Sequence, residues 1–221
     1  REAHWNVAGV ARVGAYGEVE RRVLLGLKYR GHERNAGVLA EWLAEALARQ
    51  PWGRELEALV PVPMHWLRRL QRPCDHARVL AEALGRRLNL PVVRLVRRAR
   101  HSPSQTGMTT KTQRFENVKG CFAPPLWWLP AQGPWAWRRG RLAARVAGRT
   151  VCIIDNLLVT GATVTEVSKV LRRAGARRIY VAVVSRAPSP GDAPAGAPPA
   201  LVAGADSAAG EPAAAPGWFE L

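Results

Sequence analysis

With 221 residues, 48% of them hydrophobic, the chain can bury one real core and reads as one domain with an appendage. Its 33 basic and 17 acidic side chains leave a formal charge of +16, which suits a polyanionic partner, either a nucleic acid or a highly phosphorylated small molecule, although Arg-rich genomic base composition alone would give the same excess. No apolar run reaches the roughly 18 residues of a membrane span, the start lacks a secretory pattern, and Cys74, Cys121 and Cys152 supply neither four zinc ligands nor an even disulfide set, which leaves reduced thiols in a cytoplasmic protein without membrane insertion.

In chain order, Leu39, Trp42, Leu43, Ala46 and Leu47 predict an amphipathic helix over 35–49. A β-rich run follows at 58–62, then a helix over 76–88 on Val79, Leu80, Ala83, Leu84 and Leu88, and a second β-rich run at 91–96. Residues 124–140 interrupt this pattern, with Trp127, Trp128, Trp135 and Trp137 set among prolines, and read as an inserted loop. A strand at 150–154 is apolar without alternation, as expected of a strand covered on both faces. A helix over 164–174, stopped by Gly175, and a strand over 178–184 complete the set. Strands alternating with helices predict an α/β fold with a mostly parallel sheet flanked by helices, whose ligands bind beyond the carboxyl ends of the strands. The expected division is an N-terminal hood region over 1–57 packed on the core, an α/β core over 58–186, and a disordered Ala/Pro/Gly-rich tail over 187–221. The tail holds four acids and no Lys or Arg, so the preceding residues carry a charge of +20.

The segment Val151 to Thr163 concentrates the chemistry. A buried strand delivers Asp155 and Asn156 at its carboxyl end, and Thr160-Gly161-Ala162-Thr163 then opens a helix. Free N–H groups and the positive dipole end at a helix start favour a phosphate, Gly161 and Ala162 let it approach the backbone, and Thr160 and Thr163 add hydroxyl donors. Asp155 and Asn156 can exchange hydrogen bonds with sugar hydroxyls. Thr163-Val-Thr-Glu166 also matches a capping box, which would start the helix without any ligand.

This stretch resembles the phosphoribosyl diphosphate signature of type I phosphoribosyltransferases, a hydrophobic strand, two acids, then Thr-Gly-Ala-Thr. Further matches resemble the ComF group of that family: Leu27-Lys28-Tyr29-Arg30-Gly31; Val60-Pro61-Val62-Pro63 followed by Arg68, Arg69 and Arg72; and Gln105, Arg114, Asn117, Gly120 and Phe122 in the order of its mobile-loop pattern. The resemblance implies binding of a phosphoribosyl diphosphate or related phosphosugar with Mg²⁺. It assigns Asp155, Asn156, Lys111 and Arg114 to catalysis, Thr160, Gly161, Ala162 and Thr163 to the 5′-phosphate, and Arg68, Arg69 and Arg72 to the pyrophosphate side. Arginines aimed at the leaving group would stabilise its developing charge, and Lys111 and Arg114 would sit on a loop that closes over the substrate. The family often carries a four-cysteine zinc ribbon ahead of the point where this sequence begins, so no zinc is expected in this chain.

Two departures bear on activity. Asp155-Asn156 stands where the family usually has two acids, and an amide brings no negative charge to a cationic sugar-like transition state, which favours binding over turnover. Arg72-Pro73-Cys74-Asp75-His76 stands where the family commonly reads Arg-Gly-Phe-Asn-Gln, and Pro73 removes an N–H. His76 reads as a surface residue opening a helix rather than a proton carrier. Three readings follow: a ComF-type protein of DNA uptake in natural competence, with single-stranded DNA and an uptake helicase as candidate partners; an active phosphoribosyltransferase with an unknown acceptor; or a single-stranded DNA-binding module without catalysis, in which tryptophans near Arg138, Arg139 and Arg141 stack on bases.

Overall fold

The computed structural model describes residues 6–15, 32–65, 74–102, 110–125 and 145–186. Its elements in order are β1 (Gly9–Ala15), α1 (His32–Ala48), a short 3-10 turn (Gly53–Glu55), β2 (Ala58–Pro61), α2 (His76–Leu88), β3 (Arg97–Arg98), α3 (Lys111–Val118), β4 (Phe122–Ala123), β5 (Thr150–Leu158), α4 (Ala162–Arg173) and β6 (Arg178–Arg186). Four strands form a fully parallel sheet in the order β1-β6-β5-β2, with Gly9 opposite Tyr180, Ile153 opposite Val181 and Val60 opposite Ile153. This is the expected α/β fold, a parallel sheet with helices on both faces.

The unbroken apolar run of β5 explains the layering. Val151 and Ile153 join the core beneath α4, with Val164, Val167 and Leu171, while Cys152 and Ile154 join the opposite core, with Leu39 and Leu43 of α1 and Leu80 and Leu84 of α2. Each of these leucines and isoleucines is fully buried, and such burial contributes roughly 1.5–3 kcal/mol per side chain. Helix α4 ends in a Schellman motif: Gly175 sits at φ 86°, its N–H donates to the Arg172 carbonyl, and the Ala176 N–H donates to Leu171.

Several expectations change. The run at 91–96 contributes only one parallel bridge, Leu59 to Val92, because Pro91 has no N–H and the chain turns at once into the antiparallel ribbon of β3 and β4. Strand β1, which lies within 1–57, is an edge strand of the main sheet, and α1 packs in the core on one of its faces. Strand β5 runs on to Leu158, four residues past its expected end. Residues 126–140 of the insertion and the whole of 187–221 lie outside the described residues, as does the Lys28 to Gly31 element.

Candidate functional site

Strand β5 carries Asp155 and Asn156 past the end of its partner β2. The last ladder contact there is the Val62 N–H donating to the Ile154 carbonyl at 2.9 Å. Between β5 and α4 the chain turns through Val159, Thr160 and Gly161, and the turn needs glycine because Gly161 sits at φ 77° as the N-cap of α4. The Thr160 hydroxyl accepts from the Ala162 N–H at 3.4 Å, and the first full helical bond runs from the Thr165 N–H to the Gly161 carbonyl. The amides of Thr163 and Val164, in the first turn, therefore have no acceptor within the helix. The result is an open cleft lined by Asp155, Thr160, Gly161, Ala162, Thr163 and neighbouring backbone.

Its two polar residues at the strand end differ in state. Burial pushes the Asp155 carboxyl up to about 6, with the charge of Asp75 adding to the rise, while the Asn156 N–H, which donates to Asp155 Oδ1 at 2.8 Å, and the Arg98 guanidinium pull the other way. Asn156 Oδ1 is buried without a hydrogen-bond partner among the described residues. A carboxylate beside an amide oxygen is a set of hard oxygen donors that fits Mg²⁺. Among the described residues no group of three or more His, Cys, Asp or Glu side chains could hold a metal unaided.

The predicted residues divide three ways. Asp155 and Thr160 to Thr163 come together in the cleft, with Asn156 beside them at the strand end. Arg114 and Lys111 lie on α3, not on an irregular loop: the Thr110 hydroxyl accepts from the Gln113 N–H at 3.2 Å while the Gln113 side chain accepts from the Thr110 N–H, a complete capping box that starts a helix. Arg114 does not line the cleft. Arg68, Arg69 and Arg72 lie outside the described residues.

Two further readings are corrected. The expected box at Thr163 and Glu166 does not form, for α4 has no side-chain cap. The Glu166 carboxylate instead accepts from the Gly120 N–H at 2.8 Å and pairs with Lys169 at 2.5 Å, tying α4 to the turn that ends α3. Desolvation raises the Glu166 carboxyl, but bonds from Lys169 and Gly120 and the charges of Lys169 and Lys119 outweigh it and leave it lowered. His76 is not a surface residue: it is 2% exposed, and its Nδ1 lies 3.2 Å from Cys74 Sγ, because α2 enters the fold with its first turn packed inward. Sequence reasoning missed Asp75 and Arg98, the two charged groups that act on Asp155. The Asp-Xaa-Xaa spacing of an N-cap ahead of 76–88 was the available signal for the first, while nothing local marks the second.

The chain is 30% identical over 132 residues to competence protein F of Haemophilus influenzae, a match covering 59% of this chain and 51% of that protein, so the chain spans about half the length of this relative. Among solved structures, glutamine phosphoribosylpyrophosphate amidotransferase from B. subtilis, complexed with ADP and GMP, aligns at 16% identity over 67% of this chain and 25% of its own, with a TM-score of 0.40. TT1426 from Thermus thermophilus aligns at 22% identity over 73% of this chain and 86% of its own, with a TM-score of 0.36. Likeness at that level adds nothing to the fold, which stands on strand order and register. Residues 73–197, more than half of the chain and including the whole of β5, the glycine turn and α4, match the phosphoribosyl transferase domain model, and the chain belongs to that family.

Proposed function

We propose that this chain binds a phosphoribosyl diphosphate, accompanied by Mg²⁺, through the Val151 to Thr163 loop, and that it serves DNA uptake in natural competence as a cytoplasmic protein. The observation that carries the reading is the cleft itself, which sets Asp155 at a strand end against Thr160 to Thr163 at a helix start. The 5′-phosphate takes the Thr163 and Val164 amides and the two threonine hydroxyls, where the helix dipole favours its charge. The ribose hydroxyls reach Asp155 and Asn156. Mg²⁺, with oxygen ligands from Asp155 and Asn156, would neutralise charge on the diphosphate. By family resemblance, Arg68, Arg69 and Arg72 serve the pyrophosphate side, and Lys111 and Arg114 serve catalysis. Similarity to a competence protein supports the cellular role.

If turnover occurs, a nucleophile forms a bond to the anomeric carbon as the bond to pyrophosphate breaks, and pyrophosphate leaves with the electron pair. The charge of the chain favours a second reading, an affinity for single-stranded DNA, with an uptake helicase as a further partner. Calorimetric titration with phosphoribosyl diphosphate and Mg²⁺ tests the first. Saturable binding that Gly161→Val abolishes is the expected result; a heat of binding unaffected by that substitution would place the ligand elsewhere.

A further inference from the structure

The amino-terminal ends of the strands, opposite the cleft, gather cations. Two turns meet there: residues 145–149, which lead into β5, and residues 172–178, which join α4 to β6. The Gly148 N–H donates to the Gly175 carbonyl at 2.8 Å, the Arg177 N–H donates to the Arg149 carbonyl at 2.9 Å, and Ala147 bridges Ala176. Glycine at 175 permits the approach, since a Cβ there would lie 3.3 Å from that of Ala147. The joined turns carry Arg145, Arg149, Arg172, Arg173, Arg177 and Arg178, all exposed except the half-buried Arg149. Helix α4 runs from the cleft at Ala162 to these turns at Arg173, roughly 17 Å. We propose that this arginine platform is a binding surface for the phosphate backbone of single-stranded DNA, separate from the phosphosugar cleft.

Structural roles account for only part of the cluster. Arg178 pairs with Glu55 at 2.7 Å and Arg177 with Glu57 at 3.8 Å, and Arg177 also donates to Thr150 Oγ1 at 3.1 Å. Arg172 donates to the Asn6 carbonyl and, with Arg173, stands in the last turn of α4, where the helix dipole favours a cation. Arg145, Arg149, Arg172 and Arg173 have no ion-pair partner among the described residues, so these cations exceed what Glu55 and Glu57 balance. Residues 126–144, which lead into Arg145, hold no Asp or Glu. Guanidinium forks match phosphate oxygens through paired, charge-assisted hydrogen bonds. A membrane surface fits less well, since it takes apolar side chains together with cations, and the exposed large hydrophobic residue among those described is Val38, on α1. Trp52 and Tyr180, near this end, stack on each other at 4.0 Å and are buried, so they offer bases no open ring. The surface is suited to phosphates and not to base identity.

The inference rests on the second reading above, an affinity for single-stranded DNA, and its test separates the two. Fluorescence anisotropy with a labelled thymidine oligonucleotide of about 16 nucleotides would compare the full chain with the triple variant Arg145→Gln, Arg149→Gln and Arg173→Gln. A control of equal charge, Arg12→Gln, Arg94→Gln and Arg100→Gln, changes arginines exposed elsewhere. The platform variant should bind about tenfold more weakly or worse at low salt, and its slope of log affinity against log salt should be shallower by about 2, the loss expected of its phosphate contacts. The control should keep the wild-type slope, and the platform variant should keep its affinity for phosphoribosyl diphosphate with Mg²⁺. Arg145→Gln with Arg149→Gln, both outside α4, serves if the triple variant does not fold, with a slope change of about 1.4. DNA binding that the platform variant leaves unchanged, that both triple variants weaken equally, or that prefers a duplex of the same length would overturn the assignment alone. Absence of DNA binding by the wild type at low salt would remove the DNA reading and the assignment with it.

Discussion

Between about pH 4 and 6, folded Asp155 holds a proton that its unfolded counterpart has lost. Its carboxyl titrates at about 6 rather than at the ordinary 3.8, chiefly through burial, so between those values the folded chain binds more protons than the unfolded one. Stability from this group is therefore greatest at low pH and declines as pH rises from about 4 to 6. Asp155→Asn removes the penalty: calorimetry should show a higher melting temperature than wild type at pH 7.5, with the advantage gone at pH 4. Parallel pH profiles for the two proteins would contradict this. The polar loop residues were legible because their signal is local, an apolar strand, two polar residues and, three residues on, a small-residue turn. The burial of His76, and the charges of Asp75 and Arg98 acting on Asp155, were not, because they arise where separate segments meet.

Between elements, Glu166 shows how one motif can be read in two ways. Its spacing from Thr163 fits a capping box, yet the helix opens on Gly161, and the carboxylate reaches instead to Gly120 at the end of α3. Glu166→Ala removes the acceptor of the Gly120 N–H, a hydrogen bond to a charged group, at a cost of about 1.5–3 kcal/mol. The expected outcome is a lower melting temperature with faster hydrogen exchange over residues 110–120, and unchanged exchange there would mean that the bond does not hold α3. Gly161→Ala tests the turn: a Cβ at φ 77° costs about 1 kcal/mol or more and should weaken ligand binding more than it lowers stability, measured by calorimetry and melting together. The helices α1, α2 and α4 were legible from their apolar spacing. Helix α3 was hidden, since only Phe115 and Val118 mark its inner side, although its capping box stands openly in Thr110-Lys-Thr-Gln113. Strand β1 was hidden too, its apolar run interrupted by Arg12 and glycines at a sheet edge.

At the scale of the molecule, the parallel sheet of the described residues ends at Arg186, the last residue of β6. Removal of 187–221 should therefore leave a single cooperative melting transition, and its loss would show that the fold depends on that segment. The charge of +16 predicts that any affinity for single-stranded DNA falls steeply as salt is raised, and a salt-independent affinity would count against phosphate contacts. The central claim is that one loop, from the end of β5 to the start of α4, holds the phosphosugar. Its most direct test is a crystal structure of the full chain grown with phosphoribosyl diphosphate and Mg²⁺. The account predicts the 5′-phosphate within hydrogen-bond reach of the Thr163 and Val164 amides, with the ribose beside Asp155; a ligand bound away from that loop would contradict it.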